Sequence, residues 1–175
     1  PDKATTYLAR FAKLIRSILY SSKNNLVPFH RDLETLQLYL QMEQFRSNDK
    51  FSYRVDVDPE LLNTDIYVPP MIVQPFLENA IHHGLLNKQT TDRQLNINIQ
   101  LKEDHILYSI TDNGIGRSNA AFIKELNRPE HVSYGIQIIK DRVQLHNRSS
   151  MADDVTIKDL QKNGEAAGTA VEVKI

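Results

Sequence analysis

The 175-residue sequence predicts an α+β fold in which helices cover one mixed β-sheet, with a helical segment in front. Between Lys3 and Arg46 apolar residues recur at steps of three and four, the period of an amphipathic helix. Between Leu95 and Thr111 they recur at every second position, the period of a half-buried strand. Elsewhere helical and strand-like stretches mix without the strict alternation that builds a parallel, doubly wound sheet, which leaves a layer of helices over a mixed sheet.

Taken in order, Leu8, Phe11, Ile15 and Ile18, widened by Tyr7, Leu14 and Leu19, place an apolar stripe on a helix from Lys3 to Ser21. So wide a stripe favours packing in a bundle and, beyond the chain itself, against a second copy. After a break at Ser21 to Asn25, a second helix from about Arg31 to Arg46 carries Leu33, Leu36 and Leu40, together with Leu38, Met42 and Phe45. Two apolar faces need two neighbours. Residues 1–48 therefore read as a helical segment and residues 49–175 as the domain that follows.

Phe51, Tyr53, Val55 and Val57 alternate with polar residues in a strand that Asp58-Pro59 ends. Pro69 and Pro70 bracket the start of a third helix, because proline is tolerated at the first helical position. That helix runs to about His83 and stops at Gly84, a residue suited to a left-handed cap. Asn87 to Arg93 reads as a loop. Leu95 to Leu101 and His105 to Thr111 are two strands joined as a hairpin through Glu103-Asp104. Ser118 to Leu126 reads as a short helix, Asn127 to Ser133 as a loop, and Tyr134 to Asn147 as an amphipathic helix with Ile138, Val143 and Leu145 inside. Residues 150–162 fit no single pattern, and Gly168 opens a last strand, Thr169 to Ile175.

Composition narrows the function. With 21 basic against 22 acidic residues there is no electrostatic footprint for nucleic acid or an anionic membrane. The absence of cysteine excludes disulfides, thiolate metal sites and a cysteine nucleophile. That lack of cysteine fits a cytoplasmic setting, and with no apolar run approaching the roughly 18 residues of a membrane helix this piece is expected to lie in water. The chain opens at Pro1-Asp2-Lys3 without an initiator methionine, so it is expected to be an excised part of a longer protein.

Two stretches stand out. The mostly apolar PMIVQPFLENAIHHG, Pro70 to Gly84, ends in Glu78, Asn79, His82 and His83, a group of polar side chains that a buried helix needs only if it has a ligand. Asn79 and His83 share a helix face. The second stretch, Asp112-Asn113-Gly114-Ile115-Gly116, follows a strand, and its glycines allow sharp turns where side chains would obstruct a bound molecule. Together they suggest a nucleotide pocket. It is not a Rossmann fingerprint, because Asn119 occupies the third glycine position and no βαβ unit follows.

ENAIHHG resembles the asparagine box, and DNGIG the first glycine box, of the GHKL ATPase superfamily, which joins histidine kinases with gyrase and MutL. Leu33 to Arg46 followed by VPPMIVQPFLENA resembles, more narrowly, the LytS type of bacterial sensor histidine kinase. The closing Gly168-Thr169 matches as well. The resemblance spans nearly the whole chain and implies a Bergerat-type α/β sandwich that binds ATP with Mg²⁺. It implies transfer of the γ-phosphoryl to a histidine and then to an aspartate of a response regulator. The implied partners are a second copy of the chain, through the N-terminal helices, and that response regulator. The implied setting is the cytoplasmic part of an inner-membrane protein, with the membrane reached only through parts outside this chain.

Residue by residue, the resemblance implies that Asp112 accepts a hydrogen bond from the adenine amino group, where guanine offers a carbonyl instead. Gly114 and Gly116 would let the backbone approach the base, and Thr169 after Gly168 would support that pocket. Asn79 would hold Mg²⁺; Glu78 reads equally as a residue that orients a water or the acceptor imidazole and as an exposed helix residue. His82 stands where relatives often carry lysine, a pH-dependent substitute near neutrality, while His83 matches the family's histidine. In the second glycine box Ser133 replaces a glycine, but Gly135 still opens a helix whose amides can receive phosphate. Lys124 and Arg128 are candidate phosphate contacts.

Two other functions share the motifs: an ATP-binding interaction module without catalysis, and an ATPase that hydrolyses ATP. Against hydrolysis, the water-activating glutamate of the hydrolytic relatives lies four residues before the metal asparagine, where this chain has Pro75. None of the six histidines lies in the Pro-His-Phe context of the family's acceptor, which is expected upstream of Pro1.

Overall fold

The computed structural model describes residues 3–120, 141–143, 146–147 and 154–175. The chain forms two compact units: residues 1–50 with 58–71, and residues 51–57 with 72–175.

In the first unit, α1 (Lys3–Ser22) and α2 (Phe29–Arg46) pack on each other. The Tyr7 and Phe45 rings stack at 4.8 Å, the Arg31 guanidinium lies 4.7 Å over the Tyr20 ring, and Lys13 pairs with Glu34 at 2.5 Å. Leu14 is buried, whereas Leu8, Phe11, Ile15 and Leu19 remain exposed on α1. Both apolar faces of α2 are used: Leu33, Leu36 and Leu40 are buried, and so are Leu38 and Met42. Two short strands, β1 (Val27–Pro28) and β3 (Tyr67–Val68), pair antiparallel. They are too short to show a period in the sequence. The one-turn helix α3 (Pro59–Leu62) is capped by Asp58, whose carboxylate accepts from the Glu60 N–H at 3.1 Å.

The second unit is built on a five-stranded sheet of order β2-β4-β5-β7-β6. Its strands are β2 (Ser52–Val57), β4 (Gln94–Leu101), β5 (Ile106–Asp112), β6 (Val155–Lys162) and β7 (Glu165–Lys174). β2 and β4 run parallel and the remaining pairs antiparallel, so the sheet is mixed as the sequence predicts. The hairpin from β4 to β5 closes with the Lys102 N–H donating to the His105 carbonyl at 2.9 Å. Leu95, Ile97 and Ile99 of β4 and Ile106, Tyr108 and Ile110 of β5 are buried. The helix α4 (Gln74–Glu78) continues as a π-helical segment, Asn79–Leu85, that packs against the sheet, with Phe76, Leu77, Ile81 and Leu85 buried. Each fully buried side chain of this size contributes about 1.5–3 kcal/mol.

Four expectations are corrected. The third helix begins at Gln74 and not at the Pro69-Pro70 pair, because Met71 takes a left-handed φ of 59° that no helix admits. Gly84 does not cap it, since the π-helical winding runs through Gly84 to Leu85. The last strand opens at Glu165, so Gly168 lies inside it, and residues 155–162 form β6 beside it. The second helix starts at Phe29. The backbone is helical over residues 116–120. The expected continuation to Leu126, the 127–133 loop and most of the Tyr134 to Asn147 helix lie outside the described residues.

Candidate functional site

Three neighbouring strands lay the floor of a cavity of about 220 Å³. Register places Ile110 of β5 opposite Val171 of β7, and Val171 opposite Ile157 of β6. Two residues further, Asp112 faces Thr169, and Thr169 faces Asp159. Residues two apart on a strand share a face. The floor is therefore an apolar row, Ile110-Val171-Ile157, with Asp112 and Thr169 beside it, and the register continues that polar row to the exposed Asp159.

One wall is the helix. Phe76, Asn79, Ala80 and His83 line the cavity and follow the i, i+3, i+4, i+7 spacing of a single helix face. The winding changes to π at Asn79, and the Leu86 N–H accordingly donates five residues back to Ile81 at 2.9 Å. Such segments are frequent at functional sites. The Asn87 side-chain amide closes its end, donating to the carbonyls of His82 at 2.9 Å and His83 at 3.2 Å.

The other wall is the glycine turn and the helical residues after it, with Gly116, Arg117 and Ala120 on the cavity. Asn113 ties the turn to the start of β4: the Gln94 N–H donates to Asn113 Oδ1 at 2.8 Å, and the Asn113 N–H donates to the Gln94 carbonyl at 3.2 Å. The Ile115 N–H ties it to the helix by donating to the Gly84 carbonyl at 3.3 Å. This approach requires glycine at 114, where a Cβ would lie 2.5 Å from the Gly84 carbonyl carbon, while a Cβ on Gly84 would press on Asp112 Oδ1 at 3.0 Å. Behind Asp112, Gly168 at φ 129° passes so close that a Cβ would overlap the Asp112 carbonyl oxygen.

These contacts bury Asp112 to 4% exposure at the cavity floor. The Gly114 N–H donates to its Oδ1 at 2.8 Å. Burial pushes the Asp112 carboxyl up to about 6, against the opposing pull of the Gly114 and Thr169 amides and of the Lys88 charge. A carboxylate accepts about four hydrogen bonds, so two backbone donors leave capacity for a ligand N–H.

Of the residues singled out in the sequence, Asn79, His83, Asp112, Gly116 and Thr169 line one cavity. Gly114 and Gly168 stand behind Asp112 as the backbone surfaces that enclose it. Glu78 and His82 do not line the cavity; Glu78 is exposed, one residue around the helix from Asn79. Gly135, Ser133, Lys124 and Arg128 lie outside the described residues. Among the described residues no three His, Cys, Asp or Glu side chains cluster to hold a metal ion.

Sequence reasoning did not single out Phe76, Ala80, Arg117, Ala120 and Asp159. The first two carried a signal, because they complete the stripe of Asn79 and His83. Ile110 and Val171 carried another, lying two residues from Asp112 and Thr169. Asp159 had none, since its strand follows no clear alternation and its register is set across β7.

The histidine kinase family model matches residues 1–51. Over 115 residues, 66% of the chain, it is 38% identical to sensor protein LytS of Oceanobacillus iheyensis. Over 118 residues, 67% of the chain, it is 30% identical to the sensor histidine kinase/phosphatase LytS of Staphylococcus aureus. The chain spans only 19% and 20% of those proteins' lengths. In fold it resembles the mycobacterial sensor histidine kinase MprB, with a TM-score of 0.54 at 17% identity over 86% of this chain and 95% of that one. It also resembles the Acinetobacter baumannii histidine kinase AdeS, with a TM-score of 0.50 at 15% identity over 99% of this chain and 85% of that one. The mixed sheet with its covering helix is thus the sandwich of histidine kinase catalytic domains, and the chain belongs to the LytS type of sensor histidine kinases.

Proposed function

We propose that the chain is the ATP-binding catalytic region of a two-component sensor histidine kinase, residues 49–175 binding the nucleotide and residues 1–48 belonging to the dimerisation and phosphotransfer region. The observation that carries this reading is the buried Asp112 carboxylate, facing a cavity that Asn79 and His83 share. Asp112 accepts a hydrogen bond from the adenine amino group, and Thr169 beside it in register borders the base. Gly114 and Gly116 keep that end of the cavity clear of side chains.

The donor set fits Mg²⁺. Asn79 offers one neutral oxygen at the cavity, and the described residues hold no carboxylate cage, which suits a cation that takes its remaining ligands from phosphate and water. Bound there, Mg²⁺ would neutralise phosphate charge. His83, which lines the same cavity, would meet the phosphates. Phosphoryl transfer depends mostly on positioning and charge neutralisation, so a cavity without a dedicated base is chemically sufficient. The acceptor imidazole nitrogen forms the new bond to the γ-phosphorus as the bond to the β–γ bridging oxygen breaks, ADP leaves, and a response-regulator aspartate takes the phosphoryl group next. The exposed Leu8, Phe11, Ile15 and Leu19 on α1 support a homodimer through this helix.

The test is incubation with γ-labelled ATP and Mg²⁺. The chain alone should bind ATP and label none of its own histidines. Adding the upstream helix with its acceptor histidine should give acid-labile phosphate on that helix, slowly, because untethered parts lack the roughly millimolar effective concentration of linked ones. Released free phosphate would identify a hydrolase instead, and binding without transfer to a verified acceptor would identify a non-catalytic module.

A further inference from the structure

Arg117 lines the cavity, yet its guanidinium is already engaged. Its Nε donates to Asp159 Oδ1 and its Nη2 to Asp159 Oδ2, both at 2.7 Å, a two-pronged planar pair. Asp159 stands in register with Thr169, and Thr169 with Asp112, so the pair sits at the far end of the polar row that Asp112 begins. The two halves of the glycine-turn wall are therefore anchored differently. Residues 113–115 are tied by backbone and Asn113 hydrogen bonds to β4 and the helix. Residues 116–120 reach the sheet through Arg117, and through Gly116, where a Cβ would lie 2.9 Å from the Ala166 side chain.

The geometry points to Arg117 and Asp159 as a clamp that sets the width of the nucleotide cavity: Arg117 is a positioning residue, held by Asp159 so that Gly116 and Ala120 stand at a fixed distance from Thr169. This deepens the reading of the cavity as an adenine nucleotide site and rests on it. The alternative role for a cavity arginine is a direct phosphate contact. The fork argues against it, because both ends of the guanidinium edge facing Asp159 are committed. The pair is half-exposed, at 51% for Arg117 and 41% for Asp159, and an exposed ion pair contributes little to folding. Its loss should therefore appear in ligand affinity and not in melting temperature.

The experiment measures adenosine and ATP·Mg²⁺ affinity by calorimetry for the chain and for Asp159→Asn, Arg117→Gln, Arg117→Lys and the exchanged pair Arg117→Asp with Asp159→Arg. Asp159→Asn and Arg117→Gln should each weaken both ligands by about tenfold, the scale of coupling between residues in contact. Melting should stay unchanged, and backbone amides 116–120 should exchange faster. Arg117→Lys, which keeps the charge and loses the fork, should recover little, and the exchanged pair should recover most of the affinity. Loss of ATP binding alone, with adenosine unaffected, or an Asp159→Asn variant that binds as well as the parent, would overturn the clamp. If the parent chain binds neither ligand, the nucleotide reading fails, a result distinct from failure of the clamp, for which faster exchange at 116–120 in Asp159→Asn remains the independent measure. Unchanged exchange would overturn the clamp there too.

Discussion

Asp112 and Thr169 face each other across β5 and β7 at the floor of the cavity, with Gly168 passing directly behind the Asp112 backbone. That pairing presents a buried carboxylate to the cavity from a row of the sheet and not from a loop.

Asp112→Asn should weaken adenosine and ATP binding by about 1.5–3 kcal/mol, the scale of a hydrogen bond to a charged group, or roughly tenfold to a hundredfold in affinity. Discrimination against GTP should fall with it. A folded variant with unchanged ATP affinity in calorimetry would remove Asp112 from the adenine site.

Asn79→Ala should abolish most of the Mg²⁺ dependence of ATP binding and leave adenosine binding intact, since adenosine has no phosphate to share a cation. Titrations of both ligands with and without Mg²⁺ measure this. Equal losses for the two would indicate a damaged helix wall.

The raised Asp112 pKa makes a signed prediction about pH. Its folded value of about 6 exceeds the ordinary 3.8, so between these values the native state binds more protons than the unfolded one. Asp112 therefore favours folding below about pH 4 and loses that contribution as pH rises through 6, in total about 3 kcal/mol. Asp159, held below the carboxylate range by Arg117, acts in the opposite sense as pH falls, so whole-protein stability does not isolate the effect. The comparison that does is denaturant unfolding of the parent against Asp112→Asn. The parent's stability relative to the variant should fall across that window. Adenosine affinity should rise over the same range, because the ligand prefers the ionised carboxylate.

Gly168→Ala should cost about 3 kcal/mol or more and abolish adenosine binding, because its Cβ would displace the Asp112 backbone. Gly164→Ala is the control. It shares a positive φ, of 82°, but meets no atom within 4 Å, so it should cost only the backbone strain of about 1–2 kcal/mol and spare binding. Thermal unfolding and calorimetry of the two variants separate close approach from conformational strain.

Placing a charge in the exposed stripe of α1, as in Ile15→Glu, should shift the chain toward monomer in sedimentation and make its melting temperature less dependent on concentration, with the two chains melting alike where both are monomeric, because Ile15 is 39% exposed in the single chain. A parent chain that is monomeric at all accessible concentrations would refute the homodimer.

Much of the fold and the core of the site were legible in the sequence. Periodicity carried α1, α2 and the β4–β5 hairpin, because each buries one face against a continuous core and so must repeat its apolar residues at 3.6 or 2. Asn79 and His83 announced themselves as polar residues on an otherwise apolar helix, and Asp112 as an acid at a strand end between glycine turns. These are local facts, set by neighbours within a few residues. The start of α4, the π-helical winding through Gly84, the strand pair β1–β3 and the grouping of residues 58–71 with the helices were not legible, since they come with contacts between distant parts of the chain: the Met71 N–H to the Asp32 carboxylate, the Ile115 N–H to the Gly84 carbonyl and the Phe29 N–H to the Ile66 carbonyl. The same holds for the row Asp112-Thr169-Asp159 and for Arg117 reaching across 42 positions to Asp159. Local spacing decides which face of a strand or helix a residue occupies, but which strands lie side by side, and in what register, is decided only when the whole sheet closes, and that register made a cavity out of separate motifs.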